Sequence, residues 1–260
     1  MEKLYIIKIG GNVLDSPTDL ERFLDDFTNI SARKILVHGG GKIATKLAEE
    51  LKIPVQMNNG RRITDEANLR VIVMVYAGLI NKNMVANLQA RQCNAIGLTG
   101  ADLNSIQAVK RAVKEVDYGW VGDVIGVNAK AIQNLLENQF SPIFAPITHD
   151  LQGNLLNTNA DTIASALAVG LANLYETELV YCFEKKGVLQ NPKDDDSLIK
   201  EITWQTYQEL KANGTVSDGM LPKLDNAFDA LKKGVSKVHI AQALQLGKLA
   251  KPDFVSTVLY

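Results

Sequence analysis

Twice in its first 51 residues the chain runs a short apolar strand into a glycine turn and from there into a helix. Leu4 to Ile9 ends at Gly10-Gly11, and Lys34 to His38 ends at Gly39-Gly40-Gly41. A strand without polar alternation is buried on both faces, and a helix that follows it returns the chain for a second strand in the same direction. Repetition of that unit is the grammar of an α/β fold with a mainly parallel sheet. Ser16-Pro17 gives the first long helix an N-cap and a proline at its first position, and Leu20, Phe23, Leu24 and Phe27 form its apolar face. The helix after the second glycine turn extends through Leu51.

The remaining order follows from turn chemistry and periodicity. Gln56 to Ile63 reads as a hairpin centred on Asn59-Gly60, a pair that accepts the positive φ of a two-residue turn. Thr64-Asp65-Glu66 then opens a helical region to about Arg91. Strands are expected at Ala95–Thr99, Ile106–Lys110, Val121–Val127 and Pro142–Ile147, with a helix from Ala129. In the second half a helix begins near Ala160 and strands lie at Leu179–Phe183 and Lys237–Ile240. Helices follow Thr203 and Pro222. The break with fewest element signals lies between about Ile147 and Asn157, dividing the chain into lobes of residues 1–150 and 151–260.

Composition excludes several classes. With 260 residues, 46% hydrophobic, the chain can bury a large core. Lys and Arg number 28 against 29 Asp and Glu, so no global field draws it to nucleic acid or an anionic membrane, and any anion site must be local. Cys93 and Cys182 lack metal-ligand or disulfide-framework spacing. No uninterrupted apolar run reaches the ~20 residues that span a bilayer. The expected location is the cytoplasm.

Lys8 interrupts an apolar strand immediately before a glycine turn, which places an ammonium at the carboxyl end of the sheet, where open α/β folds bind ligands. Gly39 to Ala44 reads G-x-G-x-x-A, but Gln56, Met57, Asn58 and Asn59 occupy the region where a dinucleotide site needs an acidic residue. A phosphate-binding Walker loop fails too, since Ile43 follows Gly41-Lys42 and Leu36 stands at the first glycine position. What remains at Gly40-Gly41 is a nest of backbone amides suited to a carboxylate or phosphate. Arg62 is either a solvated hairpin arginine or a fork that clamps a carboxylate. Asn157, Asn159 and Asp161 recur at intervals of two, so an extended segment would turn all three to one side. A helix cap is the alternative, and a cap needs only one of them. Lys223, one residue past Pro222, opposes the dipole at a helix start, a local cost that points to function. The scattered His38, His149 and His239 read as structural.

In this order Lys8-Ile9-Gly10-Gly11, Val37-His38-Gly39-Gly40-Gly41, Asn59-Gly60-Arg61-Arg62, Asn157-Thr158-Asn159-Ala160-Asp161 and Asp218-Gly219-Met220-Leu221-Pro222-Lys223 resemble the amino acid kinase family over nearly the whole chain. The resemblance implies a three-layer αβα sandwich. Residues 1–150 would bind the acceptor and make dimer contacts, and residues 151–260 would bind ATP. It implies a homodimer that phosphorylates the side-chain carboxylate of N-acetyl-L-glutamate, giving N-acetylglutamyl 5-phosphate in arginine biosynthesis. Lys8 and Lys223 would stabilise the transferring phosphoryl group and Asp161 would orient them. Gly40, Gly41, Arg62, Asn157 and Asn159 would hold the acceptor. Gly10 and Gly11 would face the phosphates, and Glu184, Lys185, Lys186, Gly187 and Ser217 would border the nucleotide. No general base is needed, because a carboxylate with a pKa of about 4.3 is ionised at neutral pH. Two cations, amide donors and Mg²⁺ held mainly through phosphates suffice, since phosphoryl transfer is chiefly positioning and charge stabilisation.

The chain departs from the family pattern in three places. Glu184-Lys185-Lys186-Gly187 replaces an Asp-x-Ser-Gly type of turn, Arg61 stands where an apolar residue is common, and the sequence opens directly on its first strand. The last point leads to the expectation of a dimer indifferent to arginine, since arginine-inhibited hexameric relatives carry an additional N-terminal helix. Arg61 raises N-succinylglutamate as an alternative acceptor. Another acceptor of the superfamily, a ligand sensor without turnover and a nicotinamide enzyme complete the alternatives.

Overall fold

A computed structural model of the chain describes residues 1–191, 193–216 and 220–260. Ser217, Asp218 and Gly219 of the last motif therefore lie outside the described residues. The chain begins with β1 (Lys3–Ile9), a short helix α1 (Gly11–Asp15), α2 (Pro17–Thr28), β2 (Arg33–His38) and α3 (Gly41–Glu50). The hairpin β3 (Gln56–Asn58) and β4 (Arg61–Ile63) leads into α4 (Glu66–Val73), a π-helical segment at Met74–Ile80, and α5 (Asn81–Ala90). Then come β5 (Ala95–Leu98), β6 (Ile106–Lys110), β7 (Gly122–Val127), α6 (Ala129–Glu137), β8 (Ser141–Phe144), β9 (Ile147–His149) and β10 (Leu155–Asn157). The last part holds α7 (Ala160–Leu171), β11 (Glu176–Phe183), β12 (Glu201–Ile202), α8 (Trp204–Ala212), α9 (Leu221–Lys232), β13 (Lys237–Gln242) and β14 (Ser256–Leu259).

The local signals act as their chemistry requires. Ser16 accepts a hydrogen bond from the Asp19 amide with Pro17 at the first helical position. Asn59 and Gly60 take φ of 48° and 74°, which turns β3 into β4 with Asn58 paired to Arg61. Asp65, not Thr64, caps α4, its carboxylate accepting from the Asn68 amide at 2.7 Å. The strand expected over Pro142–Ile147 is two strands, β8 and β9, which belong to different sheets. Short β10, β12 and β14 and the single turn and a half of α1 carry no pattern long enough to read from sequence.

By contacts the chain forms two compact units, Met1–Ile35 with Ala164–Tyr260, and Leu36–Ile163. The first 35 residues thus group with the C-terminal part rather than with residues 36–150. In the first unit the strand order is β12-β14-β13-β11-β1, with β13, β11 and β1 parallel and β14 antiparallel to β13. Its core is formed by Leu4, Ile6, Ile7, Ile9, Leu179, Val180 and Val238, each fully buried. In the second unit β2, β8 and β5 are parallel neighbours, and β10-β9-β6-β7 forms a separate small sheet. The helical run 66–90 is long and apolar enough to cross a membrane by length and composition alone, yet Val71, Ile72, Val75, Met84 and Leu88 are buried in its unit. Both units are α/β; the sheet of the first is mainly parallel, and the second combines the parallel β2, β8 and β5 with the antiparallel pairs β3-β4, β6-β7 and β9-β10.

Candidate active site

In the first unit the carboxyl ends of β1 and β11 open on a cavity of about 510 Å³. Lys8, Gly10, Gly11, Asn12, Cys182, Phe183, Glu184, Lys185 and Lys223 line it, together with the apolar Val188, Leu189, Val216 and Met220. Lys8 lines the cavity and is 7% exposed, between the fully buried Ile7 and Ile9 of its strand. At Gly11 a Cβ would meet nothing within 4 Å, and at Gly10 it would come 3.9 Å from the Lys8 ammonium. Glycine here leaves open space beside a cation, which suits the close approach of an anion.

Lys223 sits in the first turn of α9, as its position after Pro222 requires. The Lys223 and Leu224 amides close the first turn of the helix on the Met220 carbonyl, each at 3.0 Å, and Lys223 lines the same cavity as Lys8. The helix is held from behind by aromatic packing. The Tyr207 and Phe228 rings stack at 5.2 Å, and Trp204 meets Phe228 edge-on at 5.4 Å. Tyr207 donates its hydroxyl hydrogen to Asp225 at 2.7 Å, and burial together with that carboxylate pushes the phenol pKa up.

The nucleotide-border residues divide. Glu184, Lys185 and Gly187 line the cavity, whereas Lys186 is not among the lining residues and pairs with Asp196 at 3.3 Å. Lys185 pairs with Asp195 at 2.7 Å. A Cβ on Gly187 would press on the Thr257 hydroxyl at 2.5 Å and on Leu198, so this glycine serves the packing of its loop. Burial pushes the Cys182 thiol up to about 12, which keeps it a neutral wall.

In the second unit the glycine turn after β2 starts α3. Gly40 has φ of 152°, and a Cβ there would run into Ile80 and the ring of Tyr76. The π-helical segment that carries Tyr76 and Ile80 thus closes onto the glycine backbone, a contact possible only without a side chain. His38 is fully buried and spans the turn, with Nδ1 2.7 Å from the Gly39 carbonyl and Nε2 3.3 Å from the Asn81 amide nitrogen. Burial lowers its pKa to about 4, so it is neutral and structural.

Arg62 is 9% exposed, which removes the reading of a solvated hairpin arginine. Its Nη2 donates to the Gly41 carbonyl at 3.1 Å and to Thr45 Oγ1 at 2.5 Å, leaving Nε and Nη1 without a protein acceptor among the described residues. Arg61 points the other way, exposed, as alternation in a strand requires. It lines a separate cavity with Arg111, Lys114 and Tyr118. Asn157 ends β10 and donates to Thr64 Oγ1 at 3.0 Å, which ties it to the end of the Arg62 hairpin.

The Asn157 to Asp161 run is not one extended segment. Asn159 is exposed and caps α7, its side-chain oxygen accepting from the amides of Asp161 at 2.8 Å and Thr162 at 3.1 Å. The cap takes the side-chain oxygen of Asn159. Asp161 is 8% exposed in the first turn of α7, where the helix dipole favours a carboxylate. Sequence reasoning missed Phe183, Thr45, Thr64 and Tyr76. Thr45 and Tyr76 carry no local signal, since only tertiary packing brings them to Arg62 and Gly40.

A glycine turn and two lysines around one cavity, with a buried arginine beside a second glycine turn, define a class of phosphotransferase on an α/β sheet. Residues 3–242 match the amino acid kinase family, and the chain belongs to it. Among its relatives is the acetylglutamate kinase of Cytophaga hutchinsonii, 54% identical over 250 residues, which are 96% of this chain and 95% of that one. The acetylglutamate kinase of Bacteroides thetaiotaomicron is also 54% identical, over 93% of this chain and 94% of its own. Among solved structures, smu.665 from Streptococcus mutans matches with TM-score 0.78 and 28% identity, covering 98% of each chain. Carbamate kinase from Giardia lamblia, 14% identical with TM-score 0.73 over 99% of this chain and 98% of its own, shares the fold.

Proposed function

We propose that this chain transfers the γ-phosphoryl group of ATP to the side-chain carboxylate of N-acetyl-L-glutamate, forming N-acetylglutamyl 5-phosphate for arginine biosynthesis. The observation that carries this reading is the convergence of Lys8, Lys223, Gly10 and Gly11 on one cavity that the apolar Val188, Leu189, Val216 and Met220 also line. The triphosphate would lie against the lysines and glycines, and the adenine ring among the apolar side chains. The unit formed by Met1–Ile35 and Ala164–Tyr260 is accordingly the nucleotide unit, and Leu36–Ile163 is the acceptor unit. Arg62, with Nε and Nη1 left to donate, takes a carboxylate of the acceptor in a fork. Backbone amides at Gly40 and Gly41 and the tethered Asn157 complete that half.

The reaction asks little covalent chemistry of the protein. The acceptor carboxylate arrives ionised and attacks the γ-phosphorus, the bond to the β-γ bridging oxygen breaks, and ADP leaves. Lys8 and Lys223 neutralise charge on the equatorial and bridging oxygens. A magnesium ion would be held mainly through phosphate oxygens and water, with Glu184 and Asn12 among the side chains of the cavity that carry oxygen. Bound there, it would shield the phosphate charge. Exposed Met74 and Leu79 on the helical run 66–90 support a homodimer. The balanced composition supports a cytoplasmic location.

The test is an ATP-Mg²⁺ assay with hydroxylamine trapping of acyl phosphate on N-acetylglutamate, N-succinylglutamate, glutamate and aspartate. The highest kcat/KM on N-acetylglutamate supports the reading. Preference for the succinyl compound that is lost in Arg61→Leu moves the acceptor to the larger acid, and no hydroxamate from any compound removes the kinase reading.

A further inference from the structure

The one π-helical segment among the described residues, Met74–Ile80, lies in the second unit against the glycine turn that starts α3. A π segment is an α-helix carrying an inserted residue, and each insertion rotates the side chains beyond it by about 100°. Such segments recur at functional sites, where a side chain has to be aimed. Here Tyr76 and Ile80 are turned onto Gly40, and a Cβ on that glycine would lie 3.0 Å from Cδ1 and Cε1 of the Tyr76 ring. The phenol oxygen reaches further, to 3.8 Å from where a Gly41 Cβ would stand. It therefore ends beside the first residue of α3, whose carbonyl accepts from Arg62 Nη2 at 3.1 Å. Packing accounts for the ring but not for the oxygen. Tyr76 is 7% exposed and its hydroxyl has no hydrogen-bond partner among the described residues, yet that oxygen is not sealed from solvent. Buried tyrosine hydroxyls usually find a partner, and phenylalanine would fill the same space without an unspent donor.

We propose that Tyr76 is an acceptor-binding residue whose hydroxyl donates to the same carboxylate that Arg62 grips. The proposal rests on the assignment of Arg62 to the acceptor. A carboxylate offers about four lone-pair positions, and a guanidinium fork fills two of them. The phenol takes a third. Burial raises the phenol pKa, and the Arg62 charge offsets only part of that rise, so the group is protonated at neutral pH and acts as a donor rather than as a competing anion. A neutral donor also suits the charge balance. Guanidinium and carboxylate already cancel, and a further cation in their place of contact would itself need an unavailable partner to be buried without cost. The π segment is then the device that turns a donor towards the glycine turn.

The experiment measures initial rates and melting temperatures of Tyr76→Phe, Arg62→Lys and the double variant, with N-acetylglutamate and ATP each varied. Tyr76→Phe should raise the acceptor KM roughly tenfold, the loss of one hydrogen bond to a charged group, with ATP KM within about twofold and the melting temperature held by the retained ring. In the Arg62→Lys background the same change should matter by less than about twofold, because the carboxylate is no longer fixed for the phenol. Ring-fluorinated tyrosine at position 76 gives a second readout. Its phenol ionises at lower pH, so the acceptor KM should climb with pH as the donor is lost, while that of the parent stays level over the same range. An acceptor KM within about twofold of the parent in Tyr76→Phe, or an equal effect in both backgrounds, overturns the shared carboxylate and leaves Arg62 in its role. A normal acceptor KM in Arg62→Lys overturns the Arg62 assignment and the proposal with it. A parent protein that phosphorylates no acceptor removes the function proposed above, a failure separate from a flat Tyr76→Phe result.

Discussion

Replacing Arg62 by lysine separates charge from geometry, and its size follows from the bonds in place. The guanidinium already spends Nη2 on the Gly41 carbonyl and Thr45, and only Nε and Nη1 remain to donate to an acceptor carboxylate. A lysine keeps the positive charge but gathers its donors on one nitrogen. It can meet the carboxylate or the Gly41 and Thr45 anchor, and it cannot do both with fork geometry. The net loss is about one charge-assisted hydrogen bond, worth roughly 1.5–3 kcal/mol. At about 1.4 kcal/mol per decade, the acceptor KM should rise roughly 10- to 150-fold. ATP KM should stay within about twofold, because the nucleotide cavity does not include this residue. Initial rates with each substrate varied at saturation of the other give both constants, and thermal unfolding of Arg62→Lys shows whether the buried position tolerates the change. An acceptor KM that does not move, or two KM values that rise together, would refute the assignment of Arg62 to the acceptor.

Lys8→Met and Lys223→Met should each lower kcat by about 10²-fold or more, and a double variant with near-normal turnover would sink the two-lysine assignment. Gly40→Ala should destabilise the fold by about 2–5 kcal/mol, combining the positive φ with the clash against Ile80 and Tyr76. Gly60→Ala, with φ of 74° but open space, should cost less; equal melting temperatures for the two would count against the clash. Acid should destabilise in two stages. Burial holds His38 at about 4 against 6.5, and hydrogen bonds and charge from His239 and Lys3 hold Glu178 at about 2 against its own burial. In both cases the unfolded chain binds protons more readily. Stability is therefore complete above about 6.5 and falls as pH drops, first through His38 and below about 4.5 also through Glu178. Glu178→Gln should flatten the lower stage, measured as the melting temperature against pH; an unchanged slope would contradict it.

The parts of the molecule that repeat a local rule were open to reading. Leu4–Ile9 and Lys34–His38 fall within one residue of β1 and β2, Ser16-Pro17 caps α2 as expected, a helix follows Thr203, and Asn59-Gly60 makes its hairpin. Lys8, Gly10, Gly11, Glu184, Lys185, Gly187 and Lys223 do meet around one cavity. Failures came where local chemistry had two outlets. Asn159 could have faced a ligand or capped a helix, and the helix took its oxygen. The grouping of residues 1–35 with the C-terminal part could not be read from composition, because it depends on β1 choosing β11 as a parallel partner.

That partnership has a consequence for how the chain comes into being on the ribosome. Lys3 pairs with Glu176, so the first strand made waits for almost two thirds of the chain before its parallel neighbour exists. Residues 36–163 form one contiguous unit and have all their own contacts available while the rest is still being translated. Long-range parallel pairing is slow, and until it forms, the apolar run of β1 is an exposed edge that needs shelter from aggregation. A chain stopped before α9 lacks Lys223 and with it part of the wall of the cavity at the end of β1.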